Sequence, residues 1–317
     1  MLGTAGLLLT AASMPARAAG TRVLGGPAFG SYWRLTISDD VDGGLASESV
    51  EAVIGLVDNA MSPYLPDSDV SRFNRARSTN WAPMSDVTSS VVDAALQVAA
   101  RTGGAFDPTV GPIVGRYGFG PIQEGSSNGS YLDLNVRAGA VRKDVADLTI
   151  DLCGIAKGHA LDLAVASLTG LGIEDFVLEL GGEVFALGEH PLGRPWQVGV
   201  EHPFASPTRL ARVIRPSGMA LATSGVTAQG YSVGQHFYSH VIDPASGEPA
   251  ENSIASVSVL MPTGAAADAY ATALMAMGPE AGVSFARAES IAALFQFGQG
   301  GDHFEVTTAN FIDFVEA

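Results

Sequence analysis

Between residues 176 and 214 four strand-like stretches follow one another (176–180, 184–187, 196–200 and 210–214), with no interval long enough for a helix. Long helical patterns flank that run instead of alternating with its strands. Regular βα alternation is therefore absent, and a doubly wound parallel sheet is excluded. The pattern predicts an α+β fold, mixed antiparallel sheets packed with helices. The N-terminal strand is expected over 22–37, where Tyr32-Trp33-Arg34-Leu35-Thr36-Ile37 is rich in aromatic and β-branched residues. Val50, Val53, Ile54, Val57 and Met61 fall at helical spacing and predict a helix over 46–61. Pro63, Pro66 and Asp67 then force an irregular loop around Tyr64. Asp86 reads as the N-cap of a helix over 88–102 that Gly103-Gly104 ends. Residues 115–140, rich in Gly and Ser, read as an exposed excursion. A strand ending near Leu152, helices over 157–171 and 268–277, and strands over 257–260 and 291–297 complete the expectation.

Composition narrows the function. The chain has 317 residues, 47% of them hydrophobic, enough for one large domain or two intimately joined lobes. Its net charge is −16, from 17 Lys+Arg against 33 Asp+Glu. Such a chain has no electrostatic footprint for nucleic acid or an anionic membrane. A bound phosphate must be held by local devices: backbone amides, a single lysine or a metal ion. Cys153 is the sole cysteine, so no intrachain disulfide can form, and its apolar setting reads as packing. Leu7-Leu8-Leu9, Pro15 and Ala16-Arg17-Ala18 have the form of a signal peptide over 1–18, although no basic residue precedes the apolar stretch. That predicts an exported, periplasmic chain over 19–317, with no cysteine at the leader's end to carry a lipid anchor.

Several motifs carry possible chemistry. Asp268 and Thr272 are four residues apart, so on a helix their oxygens share a face, an arrangement suited to a hard cation such as Mg²⁺. A helix start with an acidic first turn would look the same. In Asp151-Leu152-Cys153-Gly154-Ile155-Ala156-Lys157-Gly158-His159, glycines flank a lysine where a helix opens, which suits a phosphate, although the spacing is not that of a Walker motif. Gly103 to Pro112 reads as a tight turn between a helix and a strand. Glu179-Leu180-Gly181-Gly182-Glu183 brings backbone close to something flat or bulky, or bends a strand. Leu221-Ala222-Thr223-Ser224-Gly225 offers hydroxyls in a turn, and His240 precedes a turn at Asp243-Pro244.

In this order the blocks resemble the ApbE family, the FAD:protein FMN transferases. The resemblance runs from about Ala28 to Gly278. It takes in Phe29-Gly30-Ser31, Met61-Ser62-Pro63-Tyr64, residues 68–74, Gly104 to Thr109, residues 151–162, Gly181-Gly182, Trp196 to Gly199, Thr223-Ser224-Gly225, residues 240–249 and Asp268 to Thr272. It implies a T-fold-related α+β architecture and Mg²⁺-dependent transfer of FMN from FAD to a threonine or serine hydroxyl of a target flavoprotein, with AMP released. It implies metal ligation by Asp268, Thr272 and the Ala156 carbonyl. FAD contacts are implied at Phe29, Tyr64, Asp107, Gly154, Ala156, Lys157, Gly181, Gly182, Thr223, Ser224 and His240. Lys157 and His240 are the catalytic candidates, His240 as base or phosphate ligand. Phe29, Ser31, Cys153 and His159 depart from the family's usual Met, Thr, Gly and Tyr. An Mg²⁺-dependent FAD pyrophosphatase and a non-enzymatic flavin carrier are the alternatives.

Overall fold

The N-terminal segment folds as a hairpin and not as one strand. Strands β1 (Thr21–Ala28) and β2 (Ser31–Ser38) pair antiparallel with Ala28 opposite Ser31, so Phe29-Gly30 is a two-residue turn. The computed structural model describes residues 20–316 apart from 204–208, 227–229, 234–235, 251–252 and 300–301. The expected leader over 1–18 lies outside the described residues. Six more strands extend the hairpin: β3 (Phe176–Leu180), β4 (Glu183–Leu187), β5 (Ala220–Gly225), β6 (Ile254–Met261), β7 (Ala292–Gln299) and β8 (Asp302–Thr308). Their order across the sheet is their order in the chain, and every neighbouring pair is antiparallel. The α+β class is therefore observed.

Alternation sorts the sheet's two faces. Trp33, Leu35 and Ile37 of β2 and Phe176, Leu178 and Leu180 of β3 point into the main core, which helices cover. On the other face a two-stranded ribbon, Val198–Glu201 with Leu210–Ile214, covers Leu221, Leu260 and Leu294. The helices are α1 (Gly43–Met61), α2 (Asp69–Arg75), α3 (Asp86–Arg101), α4 (Gly111–Arg116), α5 (Ala156–Gly170) and α6 (Gly264–Ala288). The Asp42 carboxylate caps α1, accepting from the Gly44 and Leu45 amides. No described helix is long and apolar enough to cross a membrane.

Several elements differ from the sequence expectation. The cap of α3 is Ser85, and Asp86 is already helical. Gly103 to Pro112 links α3 to another helix, α4, not to a strand. Residues 115–140 are not a bare excursion. They include the end of α4, a turn of 3₁₀ helix, and strand Leu134–Arg137 paired with Ala140–Lys143. No strand ends at Leu152; residues 148–152 belong to no sheet, and the Leu152 carbonyl accepts from the Ile155 and Ala156 amides. Residues 221–225 form β5 in the middle of the sheet, not a turn. Helix α6 starts at Gly264, capped by Thr263, and continues past a kink at Gly278-Pro279. Strand β8 follows the strand expected to be last.

Candidate active site

A cavity of about 1820 Å³ opens where the N-terminal ends of α5 and α6 meet β5 and the β1–β2 and β3–β4 turns. All thirteen residues singled out from sequence line it: Phe29, Tyr64, Asp107, Gly154, Ala156, Lys157, Gly181, Gly182, Thr223, Ser224, His240, Asp268 and Thr272. They come from eight separate stretches of chain. The volume exceeds that of pockets built for one drug-sized molecule.

The two helices cross at glycines. A Cβ on Gly158 would lie 2.1 Å from the Gly264 carbonyl oxygen, and one on Gly264 would lie 2.4 Å from that of Gly158. That contact sets Asp268 and Thr272, on successive turns of α6, beside the turn that opens α5. The Gly158 amide donates to Asp268 Oδ2 at 3.1 Å. Gly154 leaves room for Thr272, whose Oγ1 would be 3.3 Å from a Cβ there. The Thr272 hydroxyl is also 3.3 Å from that of Ser224 on β5. Asp268 is buried, and burial pushes its carboxyl above the usual range, while the Lys157 charge and the Gly158 amide pull it back. A buried carboxylate beside a hydroxyl and an opening helix turn is an all-oxygen donor set, and it fits Mg²⁺. Among the described residues no group of three or more His, Cys, Asp or Glu is placed to hold a metal, so the donors would include neutral oxygens.

Lys157 emerges from the first turn of α5 and ion-pairs with Glu183 Oε1, at the start of β4. The two-residue turn Gly181-Gly182 precedes Glu183, with φ of 68° and 108°. A Cβ on Gly181 would come within 3.2 Å of Lys157 Cδ, so the turn is shaped around the lysine stem. Burial alone would lower the Lys157 pKa, but the carboxylates of Asp268 and Glu183 outweigh it and hold the ammonium charged. Burial pushes the Glu183 carboxyl up to about 7 against the pull of Lys157, with Asp268 adding to the rise.

The remaining residues shape the wall. Phe29 holds φ of 50° in the β1–β2 turn, a left-handed conformation costly for a bulky side chain, and presents its ring at the cavity. Tyr64 also lines the cavity and is 68% exposed. Asp107 Oδ1 accepts from the amide and hydroxyl of Thr109, and Oδ2 from the Tyr131 amide at 3.1 Å. Its carboxylate thus staples the 105–109 loop to the wall. The Thr223 hydroxyl is engaged with that of Ser258 at 2.8 Å, and His240 meets the Phe119 ring edge-on at 6.2 Å. Cys153 is not a packing residue: it is exposed and lines the cavity, with burial of its surroundings and the Asp151 carboxylate raising its thiol pKa. Glu183 was not among the expected site residues. Its signal was a carboxylate directly after a Gly-Gly turn, and its partner lies in a distant block.

A buried carboxylate–hydroxyl pair, a lysine at a helix start and a cavity with aromatic walls define a protein that handles a large phosphate-bearing ligand. The profile of the ApbE family matches residues 29–295, and the chain belongs to that family. It is 33% identical over 286 residues to the FAD:protein FMN transferase of Vibrio cholerae, covering 86% of each chain. To that of Escherichia coli K12 it is 31% identical, covering 89% of this chain and 86% of the relative. Two solved structures have the same fold. One is the flavin transferase ApbE of Vibrio cholerae, with TM-score 0.84, 32% identity, and 93% of this chain and 99% of that one covered. The other is the apo flavinyl transferase ApbE of Pseudomonas stutzeri, with TM-score 0.85, 32% identity, and coverage of 96% and 99%.

Proposed function

We propose that this protein transfers FMN from FAD to a threonine or serine hydroxyl of a target flavoprotein in an Mg²⁺-dependent reaction that releases AMP. One observation carries the reading: the Asp268–Thr272 pair, the opening turn of α5 and Lys157 converge in a single cavity. Relatives named FAD:protein FMN transferase over most of their length support it. Asp268, Thr272 and the Ala156 carbonyl would hold the metal, which when bound supplies positive charge to the pyrophosphate oxygens. Lys157 neutralises the same group from the protein side. Phe29 and Tyr64 supply apolar surface for the flavin ring. The acceptor oxygen attacks the FMN-side phosphorus, an O–P bond forms, the pyrophosphate bridge breaks and AMP departs. His240 lines the same cavity and is the candidate to take the hydroxyl proton or to bind phosphate.

The test is incubation of the protein with FAD, Mg²⁺ and an acceptor flavoprotein domain, with intact-mass measurement of the acceptor. A mass gain of one FMN and stoichiometric AMP are expected. Free FMN and AMP with an unmodified acceptor would identify a pyrophosphatase, and no turnover a carrier. We also propose that the chain is exported, on the strength of the 1–18 leader. N-terminal sequencing from a periplasmic extract should begin at Ala19, and an intact Met1 from cytoplasm would refute export.

A further inference from the structure

Lys157 is rooted beside the residue that fixes Asp268: its neighbour Gly158 donates the amide hydrogen bond to Asp268 Oδ2. A lysine has a flexible four-carbon stem and a strongly hydrated ammonium that seeks an anion. Asp268 is the buried anion next to it, and an ammonium seated there would satisfy the carboxylate and occupy the oxygen a cation needs. The observed ion pair goes elsewhere, to Glu183 across the cavity wall. Glu183 is only 2% exposed, and its second oxygen makes no hydrogen bond. Its carboxylate therefore depends on Lys157, because a buried charge stripped of its partner is strongly unfavourable. The left-handed turn at Gly181 lets the lysine stem pass to Glu183, since a side chain there would press on Lys157 Cδ.

We propose that Glu183 is a positioning residue for the cation site: it holds the Lys157 ammonium off Asp268 and so keeps that carboxylate open to a divalent cation. The inference rests on the assignment of the cation to Asp268 and Thr272 made above. It differs from a general field effect, in which Glu183 would merely add one negative charge to the neighbourhood.

The experiment is titration of the FAD-free protein with Mn²⁺, whose unbound fraction is counted by electron paramagnetic resonance. Mn²⁺ shares the oxygen-donor preference of Mg²⁺. Glu183→Gln should weaken Mn²⁺ binding by roughly tenfold, whereas Lys157→Met, which removes a positive charge near Asp268, should not weaken it. The double variant should return to within about threefold of the unsubstituted protein, because no ammonium remains to intrude. Glu183→Asp keeps the charge but shortens the reach, and it too should weaken binding. Unchanged affinity in Glu183→Gln would overturn the proposal. So would equal and opposite effects of the two single variants that add in the double, or full affinity in Glu183→Asp. Asp268→Ala serves as the control: Mn²⁺ binding that survives it would remove the cation assignment itself, whatever the Glu183 variants do.

Discussion

Asp162 and Asp268 lie on facing helices, and each carboxylate binds backbone amides of the other's helix. Asp268 on α6 accepts from Gly158 on α5 at 3.1 Å, while Asp162 on α5 accepts from Gly264 at 2.5 Å and Ala265 at 3.0 Å at the start of α6. Both helices thus have amides at their N-terminal turns satisfied by a negative charge, the sign those turns favour. The relation is symmetric in geometry and unequal in consequence, since only Asp268 borders the cavity.

The inequality gives the first prediction. Asp162→Ala should destabilise the protein by about 1–2 kcal/mol, as loss of a helix cap does, and leave residual FMN transfer at temperatures where it stays folded. Asp268→Asn retains a carbonyl for the Gly158 amide but removes the charge. It should cut transfer by roughly a hundredfold or more with little change in the unfolding midpoint. Thermal unfolding and initial rates on the same preparations separate the two.

Gly158→Ala tests the helix crossing. The added methyl would meet the Gly264 backbone at 2.1 Å, and backbone cannot swing aside as a side chain does. A loss of roughly 1–3 kcal/mol or more is expected, together with loss of divalent-cation binding. Gly170→Ala, in the same helix with nothing near its Cβ, should be neutral or stabilising.

Phe29 should show opposite signs in two assays. Phe29→Gly relieves the φ of 50° and should stabilise the fold by up to about 1 kcal/mol, offset in part by unfolded-state entropy. The same change removes a ring from the cavity and should weaken FAD binding. Tyr64→Ala should weaken it by roughly 1–3 kcal/mol without the gain in stability, if its ring stacks on the ligand. Titration calorimetry with FAD and thermal melts check both.

Lys143 gives a pH prediction away from the site. It is 1% exposed, its ammonium donating to the carbonyls of Phe73 at 3.1 Å and Leu148 at 2.6 Å. Burial lowers its pKa to about 8, with the neighbouring charges secondary. Between about 8 and the unfolded value near 10.4 the unfolded chain binds more protons than the folded one. Stability therefore gains from this residue as pH rises through that window, and loses as pH falls back to 8. The stability of the unsubstituted protein relative to Lys143→Met should climb from pH 8 to pH 10, as measured by urea unfolding at each pH.

Where the side chains carry a period or a turn signal, the fold was legible. The spacing of Val50, Val53, Val57 and Met61 located α1, and the β-branched and aromatic runs over 176–180 and 184–187 located β3 and β4. Polar or glycine-rich strands were not legible. Asp302–Thr308 interleaves His303 and Glu305 with Phe304 and Val306 and owes its strand state to pairing with β7. Thr223-Ser224-Gly225 has turn composition yet sits between β4 and β6, where neighbours decide. The cavity's residues were legible as blocks. The Lys157–Glu183 pair was not, because one partner opens a helix and the other opens a strand, and only their packing brings them together.

The sheet's ordering has a consequence for assembly. Residues 39–175, with α1 to α5 begun among them, are all inserted between two strands that end up adjacent, β2 and β3. Every other join in the sheet bridges a shorter stretch, so this one closes over the longest loop and carries the largest closure entropy. Cavity walls come from both sides of it, Phe29 from one and Gly181 from the other. A chain that has made every other pairing but not this one lacks one of the two walls, so ligand affinity reports whether this long-range join is made.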